Sequence, residues 1–488
     1  MLVRLTGDGT LYEQLYGSLR TSILDGASRP GDRLPASRLL AHELGVSRTT
    51  VVSAYEQLVA EGYAVARQGS GTFVAPSLPD EATAAASTLR VPARDGVDPR
   101  LSAVGRRALE ERLRWRARRP LPRFDLRYGR PAIGEFPHEL WSRLIARRVR
   151  RLSQHDLDYP PLAGTDALRE ALAAYVVRAR GAQAAADDVC VTSGCQQGLD
   201  LATRMLVDQG DPVAVEDPFY PGARSAAELA GAKVHCVPVD GQGLSVDVLA
   251  RIRPAPRVVY VTPSHHFPKG ELMPLARRLE LLAWAENNDA FIVEDDYDSE
   301  FRYRGRPVES LQGLDGGRRV IYLGTLSKLL APSLRIGFAV LPPSLTKAFL
   351  ALKAVGDAGS PVLEQLAAAD FIAGGHFERH IRRCRIALGE RRTAMVDALA
   401  AAFGPRARVE ATDAGLYLLV WLPELAGDAS GGVARAAYAR GVGVHPITAF
   451  SERTPDCAGV VLGYGTLARS DFRPAIAALA EAVADVAA

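Results

Sequence analysis

Seven short apolar runs between residues 189 and 340 leave this chain few folds to choose from. They cover residues 189–192, 212–215, 234–237, 258–262, 290–294, 320–323 and 336–340, and stretches with helical periodicity separate most of them. Strands that are apolar on both faces and alternate with helices imply an α/β domain with a doubly wound sheet, running from Phe124 onwards. Helix-rich sequence after Pro361, with strand-like runs at Leu416 to Leu422 and Val460 to Tyr464, implies a smaller C-terminal α/β lobe.

Open sheets of this kind bind ligands at the carboxyl ends of their strands. Val320 to Leu323 leads into Gly324-Thr325-Leu326-Ser327-Lys328, and Lys328 is one of only five lysines, the others being Lys233, Lys269, Lys347 and Lys353. A lysine desolvated there has a lowered pKa and can form a Schiff base; the alternative is a solvated loop lysine. Phe291 to Glu294 leads into Asp295-Asp296-Tyr297-Asp298. Pyridoxal phosphate needs an acid at its pyridinium nitrogen, and Asp295 is placed for that. The acidic run lacks the central glycine and the twelfth-position glutamate of an EF-hand. Val189 to Thr192 leads into Ser193-Gly194-Cys195-Gln196-Gln197, the start of a helix whose free N–H groups suit a phosphate. Gly194 allows close approach, and Arg335 and Ser327 can close the cup. Lysine, acid and cup together point to bound pyridoxal phosphate.

A chain of 488 residues, 48% hydrophobic and 24% charged, is globular and long enough for at least two domains. The opening Met1 to Gly9 is short and polar and no apolar run reaches membrane-spanning length, so a cytoplasmic protein without membrane partners is expected. Cys190, Cys195, Cys236, Cys384 and Cys457 show neither Cys-x-x-Cys nor histidine spacing, which argues against zinc and disulfides. His265-His266 follows a strand and reads as a loop element, so no metal site is expected.

Residues 10–74 read as a winged helix-turn-helix. Thr10-Leu11-Tyr12-Glu13 is a capping box, and Leu11, Leu15, Leu19 and Ile23 repeat on one face. A turn at Gly31 to Pro35 precedes a helix from Ser37 to Leu44. Gly45 ends that helix, Ser47 caps another through Leu58, and Tyr63 to Val74 alternates as two strands around Gln68-Gly69-Ser70-Gly71. Helix, turn, helix is the arrangement that lays its second helix in the major groove. Residues 1–75 hold seven arginines against seven acids, so DNA binding requires the arginines to segregate on one side. Residues 76–123, with eleven arginines against six acids, read as a basic flexible linker in which Leu101 to Leu113 can be helical.

Three stretches, Leu34-Pro35-Ala36-Ser37-Arg38, Leu44-Gly45-Val46-Ser47-Arg48-Thr49-Thr50-Val51 and the glycine-rich wing tip, resemble the GntR-type DNA-binding domain. The resemblance implies that Arg33, Arg38, Ser47, Arg48, Thr49 and Thr50, with Gly69 and Gly71 at the wing, face a double-stranded operator, the arginines reading guanine edges. From about Phe124 the chain resembles a fold-type-I pyridoxal phosphate (PLP) aminotransferase. Within it, Glu294 to Phe301 and Thr262-Pro263-Ser264-His265 are similar to MocR-type transcriptional regulators. That resemblance implies that Lys328 carries the cofactor, Asp295 meets its ring nitrogen, Tyr297 its phenolic oxygen and Tyr220 its ring face. Gly194, Cys195, Gln196, Thr325, Ser327 and Arg335 would line the phosphate cup, with His266 where the family usually has an amide. It also implies a homodimer that completes its sites mutually, in domain-swapped fashion.

In the family's catalytic members an arginine just before the segment matching Leu462-Gly463-Tyr464 holds the substrate carboxylate; here that position is Val461, with Arg453 and Arg469 as nearby candidates. The expected domains are therefore 1–75, a DNA reader; 76–123, the linker; and 124–488, an effector domain sensing PLP or an amine or amino acid. A working aminotransferase with an appended DNA-binding domain, or one with residual activity, is the alternative.

Overall fold

The computed structural model describes residues 9–78, 100–115, 120–305, 308–410 and 413–487, with side chains for all of these except 111–115. The chain divides into two compact units, Met1–Arg100 and Leu101–Ala488.

In the first unit, helices Leu11–Leu24, Ser37–Leu44 and Arg48–Ala60 precede an antiparallel pair, β1 (Ala64–Arg67) and β2 (Gly71–Val74). The Thr10–Glu13 capping box forms as expected, and Gly45, at φ +64°, ends the second helix with a conformation that disfavours any side chain. Leu15, Leu19 and Ile23 are buried with Leu40, Val51, Ala54, Leu58 and Val74. Leu11 departs from the expected face and is 51% exposed, because the first turn of its helix extends past the reach of that core.

The linker's Pro- and Ala-rich part, 79–99, and Arg116, Arg118 and Arg119 lie outside the described residues. Helix Ala103–Trp115 is formed and belongs to the second unit, where Arg107 donates to the Leu229 carbonyl at 3.2 Å. The boundary between compact units thus falls near residue 100, ahead of the Phe124 boundary read from sequence.

After β3 (Phe124–Asp125), the second unit builds its main sheet from β4 (Val189–Thr192), β5 (Pro212–Asp217), β6 (Lys233–Pro238), β7 (Val258–Val261), β8 (Phe291–Asp296), β9 (Val320–Thr325) and β10 (Gly337–Val340). All seven strands stand where the apolar runs predicted them. Their order is β4-β10-β9-β8-β7-β5-β6, and β10 is antiparallel to both neighbours. This departs from a purely parallel sheet: the return from Thr325 to Gly337 is too short for a crossover helix, so the strand comes back antiparallel. Helices Cys195–Leu206, Pro221–Ala230 and Pro343–Asp357 pack on one face, and Leu275–Asn287 covers the other.

The smaller lobe sets β11 (Arg408–Glu410), β12 (Tyr417–Ala426), β14 (His445–Pro446) and β15 (Cys457–Gly463) into an antiparallel sheet, while β13 (Val442–Gly443) pairs in parallel with β3. Among the described residues no helix is long and apolar enough to cross a membrane.

The buried and exposed leucines of the first helix offer a direct check. Leu19→Ala should cost about 2–5 kcal/mol in urea unfolding, whereas Leu11→Ala should stay within about 0.5 kcal/mol. Equal losses would mean that both face the same core.

Candidate functional site

A cavity of about 670 Å³ opens at the carboxyl edge of the main sheet. It is walled by the turns after β4, β8 and β9, with Tyr128 and Gly129 from the segment after β3 and with Tyr417 and His445 from the smaller lobe. Ten of the eleven residues expected from sequence line it: Gly194, Cys195, Gln196, Tyr220, Asp295, Tyr297, Thr325, Ser327, Lys328 and Arg335.

Lys328 Nζ donates to the Gly129 carbonyl at 2.5 Å. Burial lowers the lysine's pKa, opposed by its acidic neighbours Cys195, Asp298 and Asp295, and so favours the neutral, nucleophilic amine. Asp295 is enclosed at the end of β8; burial pushes its carboxyl up to about 6, and hydrogen bonds from Tyr260 and Cys195 pull the other way. Its Oδ2 accepts from Tyr260 at 2.6 Å, while Oδ1 is buried with no hydrogen-bond partner. A cationic ring nitrogen beside that oxygen would both satisfy it and favour its ionised form.

The opposite end suits an anion. Helix Cys195–Leu206 starts at Gly194 without a side-chain cap, so its first N–H groups face the cavity edge. Gly194 takes φ +92°, and a Cβ there would meet Arg335 Nη2 at 2.9 Å. Arg335 donates to the Ser193 carbonyl, and Thr325 Oγ1 accepts from the Ser327 amide at 3.0 Å, leaving Ser327 Oγ buried and unpartnered. Two orphaned polar atoms, an uncapped helix start and a lysine within one cavity fit pyridoxal phosphate: ring nitrogen to Asp295, phosphate to the cup, carbonyl to Lys328. Tyr220 lies 6.3 Å from Tyr260, ring to ring, and Gln196 is anchored to the Gly222 carbonyl at 3.0 Å. The Tyr297 hydroxyl lies between the His265 carbonyl, 2.9 Å, and the Tyr417 hydroxyl, 2.7 Å.

His266 is the exception. Its ring turns away from the cavity towards Glu216, with Nε2 3.7 Å from Oε2, and Phe267 takes the wall instead. In the turn that carries this pair the Phe267 ring lines the cavity and the His266 ring packs towards Glu216. Burial holds His266 uncharged, pushed down to about 3, and lifts Glu216 to about 8. The sequence reading also missed Gly129, Asp298, Tyr417, His445 and Tyr260. Asp298 stood within the acidic run and accepts from His265 Nδ1 at 2.9 Å, whereas the others reach the site from distant segments. Neither Arg453 nor Arg469 lines the cavity; Arg469 pairs with Glu390 on the surface.

In the first unit, Arg33, Arg38, Arg48 and Thr49 are exposed, as are Gly69 and Gly71 at the wing. Ser47 and Thr50 are engaged locally: Ser47 Oγ accepts from the Thr50 amide at 3.0 Å, and the two hydroxyls lie 2.8 Å apart. They set the start of the helix, and Arg48 and Thr49 project from it. The acids Glu13, Asp32 and Glu61 are engaged locally, by Thr10, by the Arg29 amide and by Tyr16.

Residues 132–484 match the family "Aminotransferase class I and II" and residues 11–74 match "Bacterial regulatory proteins, gntR family". The chain is 40% identical to "Probable rhizopine catabolism regulatory protein MocR" of Rhizobium meliloti, over 97% of this chain and 94% of that one. It is 30% identical to the pyridoxine biosynthesis transcriptional regulator PdxR of Corynebacterium glutamicum, over 96% and 95%. Among solved structures, LysN, an alpha-aminoadipate aminotransferase of Thermus thermophilus complexed with N-(5'-phosphopyridoxyl)-L-leucine, covers 74% of this chain and 92% of its own at 30% identity, with a TM-score of 0.68. An exposed winged-helix reader and a pyridoxal phosphate cavity, matched by the two family models and by a MocR regulatory protein along almost the whole chain, place this protein in the MocR-type transcriptional regulators, with a GntR-type DNA-binding domain joined to an aminotransferase-like domain that binds pyridoxal phosphate.

Proposed function

We infer that the aminotransferase-like domain serves as a sensor of PLP or of an amine or amino-acid effector, and that it sets how the winged helices engage their operator. The observation that carries this is Val461. It is wholly buried in β15, paired with Leu419 and His445, at the position where the resemblance implies a carboxylate-binding arginine in working aminotransferases. A valine offers no bidentate fork, so the site keeps its cofactor residues and lacks a substrate clamp.

Pyridoxal phosphate, when bound, supplies an electrophilic carbonyl and an electron-withdrawing ring. Asp295 Oδ1 would hold the proton on the ring nitrogen, Tyr220 would cover the ring, and the start of the Cys195 helix with Ser327 and Arg335 would hold the phosphate. Lys328 keeps an amine in place on the Gly129 carbonyl. An effector can shift such a regulator only by binding its conformations unequally. Exchange of partners at Lys328 is the change in this chain that tells an occupied cavity from an empty one. The acting species is proposed to be a cytoplasmic homodimer whose two readers take repeated half-sites, testable by light scattering at micromolar concentration.

Two substitutions test the reading. Lys328→Ala should lose the visible band of the bound cofactor and its fixation by borohydride, keep basal operator binding, and abolish the response of DNA binding to PLP and to amines. Equal responses from both proteins would place the signal elsewhere. Arg48→Ala should cost about 1–3 kcal/mol on the operator and less on random DNA; an equal loss on both would make Arg48 a phosphate contact.

A further inference from the structure

We propose that the cavity of the large domain takes primary amines that bear no carboxylate on the amino carbon. The proposal rests on the cofactor reading above and adds the class of ligand.

One side of the cavity already receives an amine. The Gly129 carbonyl accepts from Lys328 Nζ at 2.5 Å, and the Asp298 carboxylate, held by His265 Nδ1 at 2.9 and 3.1 Å, lines the same space. A ligand ammonium that takes the place of Lys328 Nζ finds an acceptor in the Gly129 carbonyl, with the Asp298 carboxylate in the same cavity.

Another part of the lining offers a carboxylate no cationic side chain, only rings and neutral donors. It is made of Tyr128, Phe267, Leu416, Tyr417 and His445. Their rings pack on one another, with centroids 4.7 Å apart for Tyr128 and Phe267, 4.8 Å for Tyr128 and His445, and 5.6 Å for Phe267 and Tyr417. Burial, with the charge of Arg127 added, keeps the His445 ring uncharged, pushed down to about 4. Behind it, Val461 pairs with His445 across the sheet. Arg127 and Arg130 flank Gly129 closely in sequence, but both are committed to Asp125, at 2.7 and 3.0 Å, and neither lines the cavity.

Among the described lining residues the cationic side chains are Lys328 and Arg335, and Arg335 stands at the Gly194 end, on the Ser193 carbonyl. Asp295 and Asp298 line the same cavity, and a cofactor phosphate adds negative charge. An α-amino acid would therefore bring a carboxylate among aromatic rings without a cationic partner, which is costly. An amine without that group keeps the favourable half of the interaction, and its carbon skeleton lies on the rings.

The test titrates full-length protein, its cofactor content verified by the visible band, with matched pairs: 2-phenylethylamine against phenylalanine, cadaverine against lysine, ethanolamine against serine. Calorimetry at one pH reads the affinities directly. In the pairs that bind, the amine should win by about tenfold or more, the cost of leaving a buried charged group unpaired. Amino acids binding as tightly as their amines, for instance through an arginine supplied by a second copy of the chain, would overturn the proposal, and so would the absence of binding by all three amines. Val461→Arg should narrow or reverse the preference; should that variant fail to fold, the wild-type comparison decides by itself. Protein that takes up no cofactor at all would refute the cofactor reading instead, so the two failures are told apart.

Discussion

Removal of water from a carboxylate and an amine at the carboxyl edge of one sheet is the constraint on which this molecule depends. Asp295 and Lys328 stand at the ends of neighbouring strands, β8 and β9, and burial raises the pKa of the first and lowers that of the second. Neither group would be tolerated there without a scaffold that fixes them. A layer of buried polar bonds beneath them supplies it. Arg180 pairs with Asp296 at 2.6 Å, and Tyr322 donates to the same carboxylate at 2.7 Å. Glu294 accepts from the amides of Leu311 and Gln312, and the wholly buried Arg278 donates to the carbonyls of Met273, Pro263 and Glu309. Alternate residues of β8 thus anchor the strand while Asp295 between them faces the cavity.

Much of this was legible in the chain because the signals were local. Each strand of the main sheet is a contiguous apolar run, and each site turn follows its strand directly, so Gly194, Asp295 and Lys328 could be located from position alone. What escaped was non-local. Gly129, Tyr417 and His445 approach from segments far away in sequence, and nothing beside them marks a cavity. His266 was misplaced because adjacent residues of a loop differ in direction, which neither composition nor spacing records. Leu11 keeps the helical period but lies beyond the core that the period serves. The reversed direction of β10 follows from loop length, which could have been weighed from sequence.

The DNA-binding unit shows how a formally neutral segment can still present charge. Three of its acids are engaged in caps and local bonds, Glu13 with Thr10, Asp32 with the Arg29 amide and Glu61 with Tyr16, whereas Arg33, Arg38 and Arg48 remain exposed. Net charge is therefore a coarse guide here; where the arginines project matters more. Ser47 illustrates the division of labour, since its hydroxyl starts the helix from which its neighbours project.

The antiparallel strand β10 lies between β4 and β9 in the sheet, so the helix start at Gly194 and the lysine loop stand on either side of it. A cofactor held at its phosphate by one and at its carbonyl by the other would fasten three strands at the sheet's margin. Binding of that kind opposes unfolding in proportion to the supply of ligand. The amount of this regulator that survives proteolysis in a cell would then follow the cell's vitamin B6 status, whatever effector it also answers to.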